Sequence, residues 1–230
     1  MLAEFKRIGR FLFEEHLIDS HGGNLSLRQG DRIFITRRDA MLGDLKDGDI
    51  IEVGLEPGSG DDLASRELPT HRALYKQGTI KAIVHAHPAK AIAISLTDNK
   101  VVPQDSEGIF LYKAAPIVRV RDGVGSEETV RLLPSFLGRE NVVVMVKGHG
   151  SFAIGETLEE AYKYTSSLEN SCRVLIAMRS SASSSPSKSQ GHTRQKPVMG
   201  GRVGRRDSQG YSSAIPPGIG VMDRSRYRSR

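Results

Sequence analysis

The sequence has one cysteine, no tryptophan and no long hydrophobic run among its 230 residues. Because Cys172 alone cannot form an internal disulfide, we expect a protein of a reducing compartment. The longest apolar stretches, such as residues 81–96, are interrupted by histidine, proline and lysine, and none approaches the ~18 apolar residues that a membrane span needs. Residues 1–17 carry charges throughout, which is unlike a secretory signal. These absences predict a soluble cytoplasmic protein.

Charge is distributed unevenly along the chain. The whole sequence contains 33 Lys+Arg and 27 Asp+Glu, a formal net charge of +6. Residues 180–230 hold ten basic and two acidic residues, which leaves 23 basic and 25 acidic residues in the first 179. The excess positive charge therefore belongs to the C-terminal segment, and the rest of the chain is close to neutral.

The C-terminal segment also differs in composition. It contains 12 serines, 7 glycines and 4 prolines, and its scattered large apolar side chains are too few to offset the ordering entropy of a packed core. We therefore divide the chain into a folded domain, residues 1–179, and a disordered basic tail, residues 180–230. An alternative makes the tail an arm that binds RNA or a membrane surface, because its Ser/Arg/Gly composition suits weak, salt-sensitive contacts with phosphate.

Periodic apolar segments separated by turn signals run through the first 179 residues. Leu25/Leu27 and Ile33/Ile35 alternate around a Gln-Gly-Asp turn and predict a β-hairpin. Further strands are predicted over residues 49–54, 80–86, 117–120, 142–146 and 152–155, and helices over residues 2–17, 66–77, 88–96, 127–137 and 157–178. Several connections are too short for a crossover helix, so the pattern predicts a layered α/β domain with a partly antiparallel sheet. An Asp-Ser-Glu-Gly turn at residues 105–108 could reach a site or merely form a loop.

Two histidines stand at the end of the apolar run 80–84, in a His-Ala-His-Pro sequence that contains His85 and His87. Side chains at positions i and i+2 of a strand point to the same face, so both imidazoles can converge on one metal ion. The alternative is a pair of ordinary interior histidines at the end of a strand.

A third histidine and a glutamate could complete such a site. His149 lies between two glycines after the strand 142–146, where the backbone can bring its side chain close to a crowded centre, although the same pattern is typical of a surface loop. Three histidines at strand ends can bind a catalytic zinc ion and leave one position open. Glu67 opens the helix before the histidine strand, so its carboxylate could stand over the metal as an acid or base. A carboxylate there could equally just complement the helix dipole.

Several motifs occur in collinear order over roughly residues 2–178. They are Gly22-Gly23-Asn24-Leu25-Ser26-Leu27-Arg28, Ile35-Thr36, Asp49-Ile50, Ser65-Arg66-Glu67 with His71 and Tyr75, His85-Ala86-His87-Pro88, and Gly148-His149-Gly150. In this combination the chain resembles the class II aldolase/adducin family, and within it the L-fuculose-1-phosphate aldolases. The resemblance implies a three-layer α/β/α sandwich around a mixed central sheet, and a homotetramer whose sites lie between subunits.

The resemblance also implies roles for the histidines and the glutamate. It implies a Zn²⁺ ion, or another divalent metal, held by His85, His87 and His149, with Glu67 as a ligand of the resting metal and then as the proton carrier. Family members that act as sugar-phosphate 4-epimerases have an aspartate at the glutamate position, so Glu67 favours an aldolase.

The anion-binding part of the pattern departs from the family. The residues that match its phosphate-binding positions are Gly23, Asn24 and Ser65. The usual Thr-Pro-[Ser/Thr]-Gly segment is replaced by Thr-Arg-Arg-Asp at residues 36–39, and a second serine by Arg66. Arginine binds phosphate or carboxylate through a bidentate fork, so Arg38 and Arg66 could hold an anion in a different geometry or be ordinary surface charges.

The sequence thus predicts a zinc-dependent aldolase, a class II aldehyde-lyase. It would reversibly cleave a ketose 1-phosphate, L-fuculose 1-phosphate or a close analogue, to dihydroxyacetone phosphate and a short aldehyde such as lactaldehyde. Epimerisation, dehydration and decarboxylation, which other family members carry out, stay open at this point. A binding module of the adducin type without activity is the remaining alternative, but such a module is expected to lack some metal ligands, and all four are present.

Overall fold

The computed structural model describes residues 1–183, which form one eight-stranded sheet with helices on its two faces. The strands are β1 (Asn24–Gln29), β2 (Arg32–Thr36), β3 (Ile50–Gly54), β4 (Ala82–Ala86), β5 (Lys100–Val101), β6 (Ala115–Val118), β7 (Val143–Val146) and β8 (Gly150–Gly155). The helices are α1 (Leu2–Glu14), α2 (Leu68–Tyr75), α3 (Ala89–Thr97), α4 (Ser106–Leu111), α5 (Glu127–Leu132) and α6 (Leu158–Ser183).

The strand order is β3-β2-β1-β4-β8-β7-β6-β5. Neighbouring strands pair antiparallel throughout except β6 and β7, which are parallel. Parallel neighbours need a crossover connection, and α5 lies in the segment that joins these two strands. The predicted mixed, partly antiparallel sheet is therefore confirmed.

Alternate residues of the central strand β4 face two separate hydrophobic cores. Ala82, Val84 and Ala86 pack with residues of α1, α3 and α6, whereas Ile83 packs with residues of α2 and of the segment after α5. This alternation follows from the two-residue period of a strand. Because each face of the sheet is covered by helices, the predicted three-layer α/β/α arrangement is also confirmed.

Three helices are shorter than their apolar periodicity predicts, because local backbone geometry intervenes. α5 ends at Leu132 instead of residue 137, because a 3-10 turn that contains Pro134 follows it. α1 ends at Glu14, and His16 just beyond it adopts a left-handed conformation with φ of 57°, which cannot continue an α-helix. α2 begins at Leu68 instead of residue 66, because Glu67 is its N-cap and Pro69 occupies the first turn.

The last helix is longer than predicted. α6 continues to Ser183, so residues 180–183 are helical and do not belong to a disordered tail; the rest of the predicted tail lies outside the described residues. At its start, the Glu160 amide donates to Thr157 Oγ1 at 3.1 Å, and the Glu160 carboxylate accepts from the Glu156 amide at 2.9 Å. None of the helices within residues 1–183 is long and apolar enough to cross a membrane.

The sequence pattern does not predict two short elements, β5 and α4. A two-residue strand has no detectable periodicity. α4 starts in the turn at residues 105–108, where the Asp105 carboxylate accepts a hydrogen bond from the Gly108 amide at 2.9 Å. Gly108 lies against Ser171 of α6. The turn therefore begins a helix that packs on α6 and does not line the cavity described below.

Candidate metal centre and its cavity

The two histidines of the His-Ala-His-Pro sequence stand together at the end of β4. His85 is the fourth residue of the strand and is only 1% exposed, and His87 follows one residue after the strand ends. Their Nε2 atoms lie 3.1 Å apart. Two nitrogen ligands of a tetrahedral zinc ion, each about 2.0–2.1 Å from it, are roughly 3.3 Å apart. The separation of these two atoms therefore matches a shared metal ion.

His149 reaches the same point from the turn between β7 and β8. This three-residue turn contains Gly148, whose φ of +70° favours glycine, and the His149 amide closes it by donating to Val146 O at 3.0 Å. One ring nitrogen from each of His85, His87 and His149 lies within 4.8 Å of the others. The fold thus brings together the three predicted ligands, the last of them more than 60 residues from the first two.

The electrostatics of the cluster favour neutral imidazoles. Burial, and then repulsion from His87 and His149, holds the pKa of His85 well below its ordinary value. Burial also lowers the pKa of His87, and it lowers that of His149 to about 4. His85 Nδ1 donates to Ser151 O at 2.9 Å, so the lone pair of Nε2 faces the other histidines, as in metal sites whose ligands are oriented by outer hydrogen bonds. Three converging neutral imidazoles fit a divalent metal such as zinc.

Gly150, at the start of β8, is needed for this close approach. A Cβ atom there would lie 2.3 Å from Ala86 O, 2.7 Å from His87 Cδ2 and 3.1 Å from His85 Cε1. We expect Gly150→Ala to lower the free energy of unfolding by about 1–3 kcal/mol, the usual cost of overpacking, and to weaken metal binding. Urea unfolding measures the first effect. Gly48→Ala is the control, since a Cβ at Gly48 meets nothing within 4 Å. An equal loss of unfolding free energy in both variants would show that close packing at Gly150 is not the cause.

Glu67 lies in the same cavity as the histidines. It is 3% exposed, and its two carboxylate oxygens accept hydrogen bonds from the Gly125 amide at 2.9 Å and from Thr70 Oγ1 at 3.0 Å. Burial raises its pKa, and these two hydrogen bonds partly oppose that shift. Among residues 1–183, the group of clustered ligand atoms contains the three histidines and not this carboxylate. Glu67 therefore lies in the cavity of the three histidines without belonging to their cluster of ligand atoms.

The predicted anion-binding residues also line this cavity, which has a volume of about 180 Å³. They are Gly23, Asn24, Arg38, Ser65 and Arg66. Asn24 pairs with His85 across β1 and β4, and its side-chain Oδ1 is buried without a hydrogen-bond partner in the described structure. Such an unsatisfied buried polar atom is costly, so it is a natural contact for a polar ligand.

Arg38 and Arg66 are in different situations. The Arg66 guanidinium lies 3.3 Å from the carboxylate of Asp39, and both side chains are mostly exposed. The Arg38 side chain forms no ion pair or hydrogen bond with any residue from 1 to 183. Arg38 is therefore the cation with the greater freedom to bind an anion, whereas Arg66 would first have to leave or share Asp39.

Other residues of the cavity wall were not assigned to the site from sequence. They are His21, Gly22, Arg37, Asp39, Ala40 and Val124. The segment Gly123-Val124-Gly125 has the largest role, because its last amide holds Glu67 and Gly123 packs against the ring of His149. Its two glycines are the only sequence signal that could have indicated it.

Three buried, hydrogen-bonded polar side chains connect α2, the helix that follows Glu67, to the sheet. Ser26 Oγ on β1 lies 2.6 Å from His71 Nδ1 and 2.7 Å from the Tyr75 hydroxyl. All three side chains are fully buried. The backbone amide of His71 also donates to Glu67 O at 3.0 Å. These three side chains thus hold the helix whose N-cap is Glu67.

Burial lowers the pKa of His71 from 6.5 to about 3. The unfolded chain therefore binds a proton between these values that the folded protein excludes, and stability falls as the pH falls from 6.5 towards 3. We expect His71→Asn to reduce the steepness of this loss, measured by urea unfolding from pH 7 to pH 4. His21→Asn, at an exposed histidine, should keep the wild-type steepness. Identical pH dependence in all three proteins would show that His71 does not exclude a proton.

Comparisons with known proteins agree with this fold. The family model of the class II aldolase and adducin N-terminal domain matches residues 3–176. The crystal structure of L-fuculose-1-phosphate aldolase from Thermus thermophilus is similar with a TM-score of 0.76 and 33% identity, and the alignment covers 80% of this chain and 96% of that chain.

Two curated relatives are similar over most of their length. The L-fuculose phosphate aldolase of Methanocaldococcus jannaschii is 28% identical over 175 residues, which is 75% of this chain and 94% of the relative. The methylthioribulose-1-phosphate dehydratase of Acidiphilium cryptum is 30% identical over 186 residues, which covers 72% of this chain and 85% of the relative. Because the family model spans nearly all of the folded domain, the chain belongs to the class II aldolase and adducin family.

Proposed function

We propose that the protein is a zinc-dependent aldolase that reversibly cleaves a ketose 1-phosphate to dihydroxyacetone phosphate and a short aldehyde. L-fuculose 1-phosphate or a close analogue is the proposed substrate, and lactaldehyde the corresponding aldehyde. The observation that carries this proposal is the placement of a buried carboxylate, Glu67, in one cavity with three converging histidines. The similarity to two L-fuculose phosphate aldolases supports the choice of substrate.

In this proposal His85, His87 and His149 hold the metal ion. Zinc bound there would act as a Lewis acid towards substrate oxygens and stabilise the negative charge that develops when the carbon–carbon bond breaks. The protein keeps the three imidazoles neutral by burial and fixes His85 through Ser151. The ligands are thus held in position before the substrate enters.

Glu67 is the proposed proton carrier, and in the resting enzyme a further metal ligand. Its burial raises the pKa of the carboxyl group, which brings its proton affinity closer to that needed for acid–base catalysis near neutral pH. Gly125 and Thr70 each donate to one of its oxygens, so they set the direction in which the carboxylate faces the cavity. The proton at the carbon next to the broken bond would move to and from this group.

The phosphate of the substrate would bind in the same cavity, beside the metal centre. The proposed contacts are Gly23, Asn24, Ser65, Arg38 and Arg66. The Arg38 side chain has no ion-pair or hydrogen-bond partner within residues 1–183 and can present its full fork of donors, whereas the Arg66 guanidinium is shared with Asp39. We infer that Arg38 contributes more to phosphate affinity than Arg66 does.

Dehydration is the second candidate reaction. It is favoured by the 30% identity with a methylthioribulose-1-phosphate dehydratase. The same metal ligands and the same acid–base group could serve a reaction in which the substrate loses water without cleavage of a carbon–carbon bond. Product analysis therefore decides between the two reactions.

The test is a screen of ketose 1-phosphates with purified protein whose metal content has been measured. Release of dihydroxyacetone phosphate, which stops after chelation and returns with zinc, supports the aldolase. Loss of water with an intact carbon chain supports the dehydratase. Turnover that is unaffected by complete removal of the metal would contradict both.

The assembly and location inferred from the sequence remain part of the proposal. We infer a homotetramer with sites between subunits, a cytoplasmic location, and a folded domain that ends with α6 and is followed by a basic tail. Light scattering of the purified protein tests the first of these. Binding of mixed-sequence RNA to the full chain and to residues 1–183 at low salt tests whether the tail has a function of its own.

A further inference from the structure

We propose that Glu169, on α6, is a positioning residue for the metal centre, and that it acts through the first turn of α3 on His87. This inference rests on the proposed metal site. Glu169 lies outside the cavity of the metal centre and is 3% exposed. It is separated from His87 by more than 80 residues in sequence.

The Glu169 carboxylate binds the backbone at the start of α3. Its Oε2 accepts hydrogen bonds from the Lys90 amide and the Ala91 amide, each at 3.0 Å, and Oε1 lies 3.3 Å from the Lys90 amide. Arg173, one turn further along α6, lies 3.5 Å from Oε1. The buried carboxylate is thus satisfied by two backbone donors and one partly exposed cation.

α3 needs this carboxylate because its own N-cap cannot supply one. The first amides of any helix lack intrahelical partners and are usually satisfied by the side chain of the N-cap residue. The N-cap of α3 is Pro88, whose ring carries no acceptor, and it forms no side-chain capping bond. A carboxylate at this end also complements the positive end of the helix dipole. Glu169 therefore caps α3 from another helix.

The capped turn is directly connected to a predicted metal ligand. Only Pro88 and Ala89 separate His87 from the bonded amides of Lys90 and Ala91. The ring of Pro88 restricts its φ, which is −64°, and this removes one backbone rotation between the cap and the histidine. On the other side, the His87 amide donates to Leu17 O at 2.8 Å. Release of the cap would leave the backbone of His87 held by that hydrogen bond and by its covalent connection to β4.

The test compares zinc affinity in two Glu169 variants and a matched control. Glu169→Ala leaves the two amides without a partner, and we expect zinc affinity to fall about 10–100-fold, the range found when outer contacts of a metal ligand are removed. Glu169→Gln keeps an acceptor oxygen, so its zinc affinity should fall less than that of Glu169→Ala. Asp105→Ala removes the cap of α4, a helix that carries no predicted ligand, and should leave zinc affinity unchanged. Competition with a chromophoric chelator measures all four proteins.

A second measurement separates positioning from a general loss of stability. In the metal-free protein, side-chain NMR spectra of the histidines should show a shifted or broadened His87 resonance in both Glu169 variants and an unchanged one in Asp105→Ala. Wild-type zinc affinity and an unaltered His87 resonance in Glu169→Gln and Glu169→Ala would overturn the inference. An equally large loss of zinc affinity in Asp105→Ala would also overturn it. If the wild type binds no zinc, the proposed function fails, and the His87 resonance alone decides the positioning role.

Discussion

Replacement of Glu67 with glutamine is expected to lower the rate of substrate cleavage by about 10²–10⁴-fold, the usual contribution of a general acid or base. Glutamine keeps the size of the side chain and an oxygen that can accept from Gly125 or Thr70, but it cannot carry the proton. The metal should remain bound, because the three histidines form the ligand cluster without this carboxylate. Release of dihydroxyacetone phosphate and metal content are measured on the same preparation.

The control for this prediction is Glu159→Gln. Glu159 is a largely exposed carboxylate on α6 that pairs with Arg7, so its neutralisation should leave cleavage at the wild-type rate. Undiminished cleavage by Glu67→Gln with metal retained would remove Glu67 from the mechanism. Loss of cleavage together with loss of metal would instead make it mainly a ligand.

Replacement of His85 with alanine is expected to abolish both metal binding and cleavage. His85 is the most buried of the three histidines, and its Nε2 atom is 3.1 Å from that of His87. Its loss removes one of three ligands, so the effect should exceed the 10–100-fold that outer contacts contribute. Zinc at 100 times its dissociation constant would stabilise the wild type by about 2.7 kcal/mol. The variant should show no such gain.

His21→Ala is the matched control for His85→Ala. His21 lines the same cavity but does not belong to the cluster of ligand nitrogens. Its removal should leave the stabilisation by zinc intact. Thermal unfolding with and without zinc, together with metal analysis, measures the difference. One equivalent of tightly bound zinc in His85→Ala would contradict the three-histidine assignment.

The candidate ligands could be predicted because their signals are local. His85 and His87 occupy positions i and i+2 at the end of an apolar run, and a strand places such residues on one face. His149 follows another apolar strand between two glycines. Each signal had a plain structural alternative, and only the combined order of motifs favoured a metal site.

The contacts that hold Glu67 and the start of α3 could not be predicted. Gly125 is 58 residues from Glu67, and Glu169 is 79 residues from the Lys90 amide that it binds. No periodicity or propensity relates residues so far apart, because such contacts depend on which elements become neighbours. The ion pair of Arg66 with Asp39 is a further example; from the sequence, Arg66 and Arg38 were equivalent candidates.

The sequence by itself determined the layered α/β class, most strands and helices, and which histidines and which glutamate are the candidates for metal binding and proton transfer. These properties depend on residue type and on spacings of two to four residues. Only the tertiary structure decided that β8 lies between β4 and β7. That neighbourhood pairs Ala86 with Ser151 and so brings the turn of His149 to the end of the strand of His85, because antiparallel pairing places the start of one strand beside the end of the other.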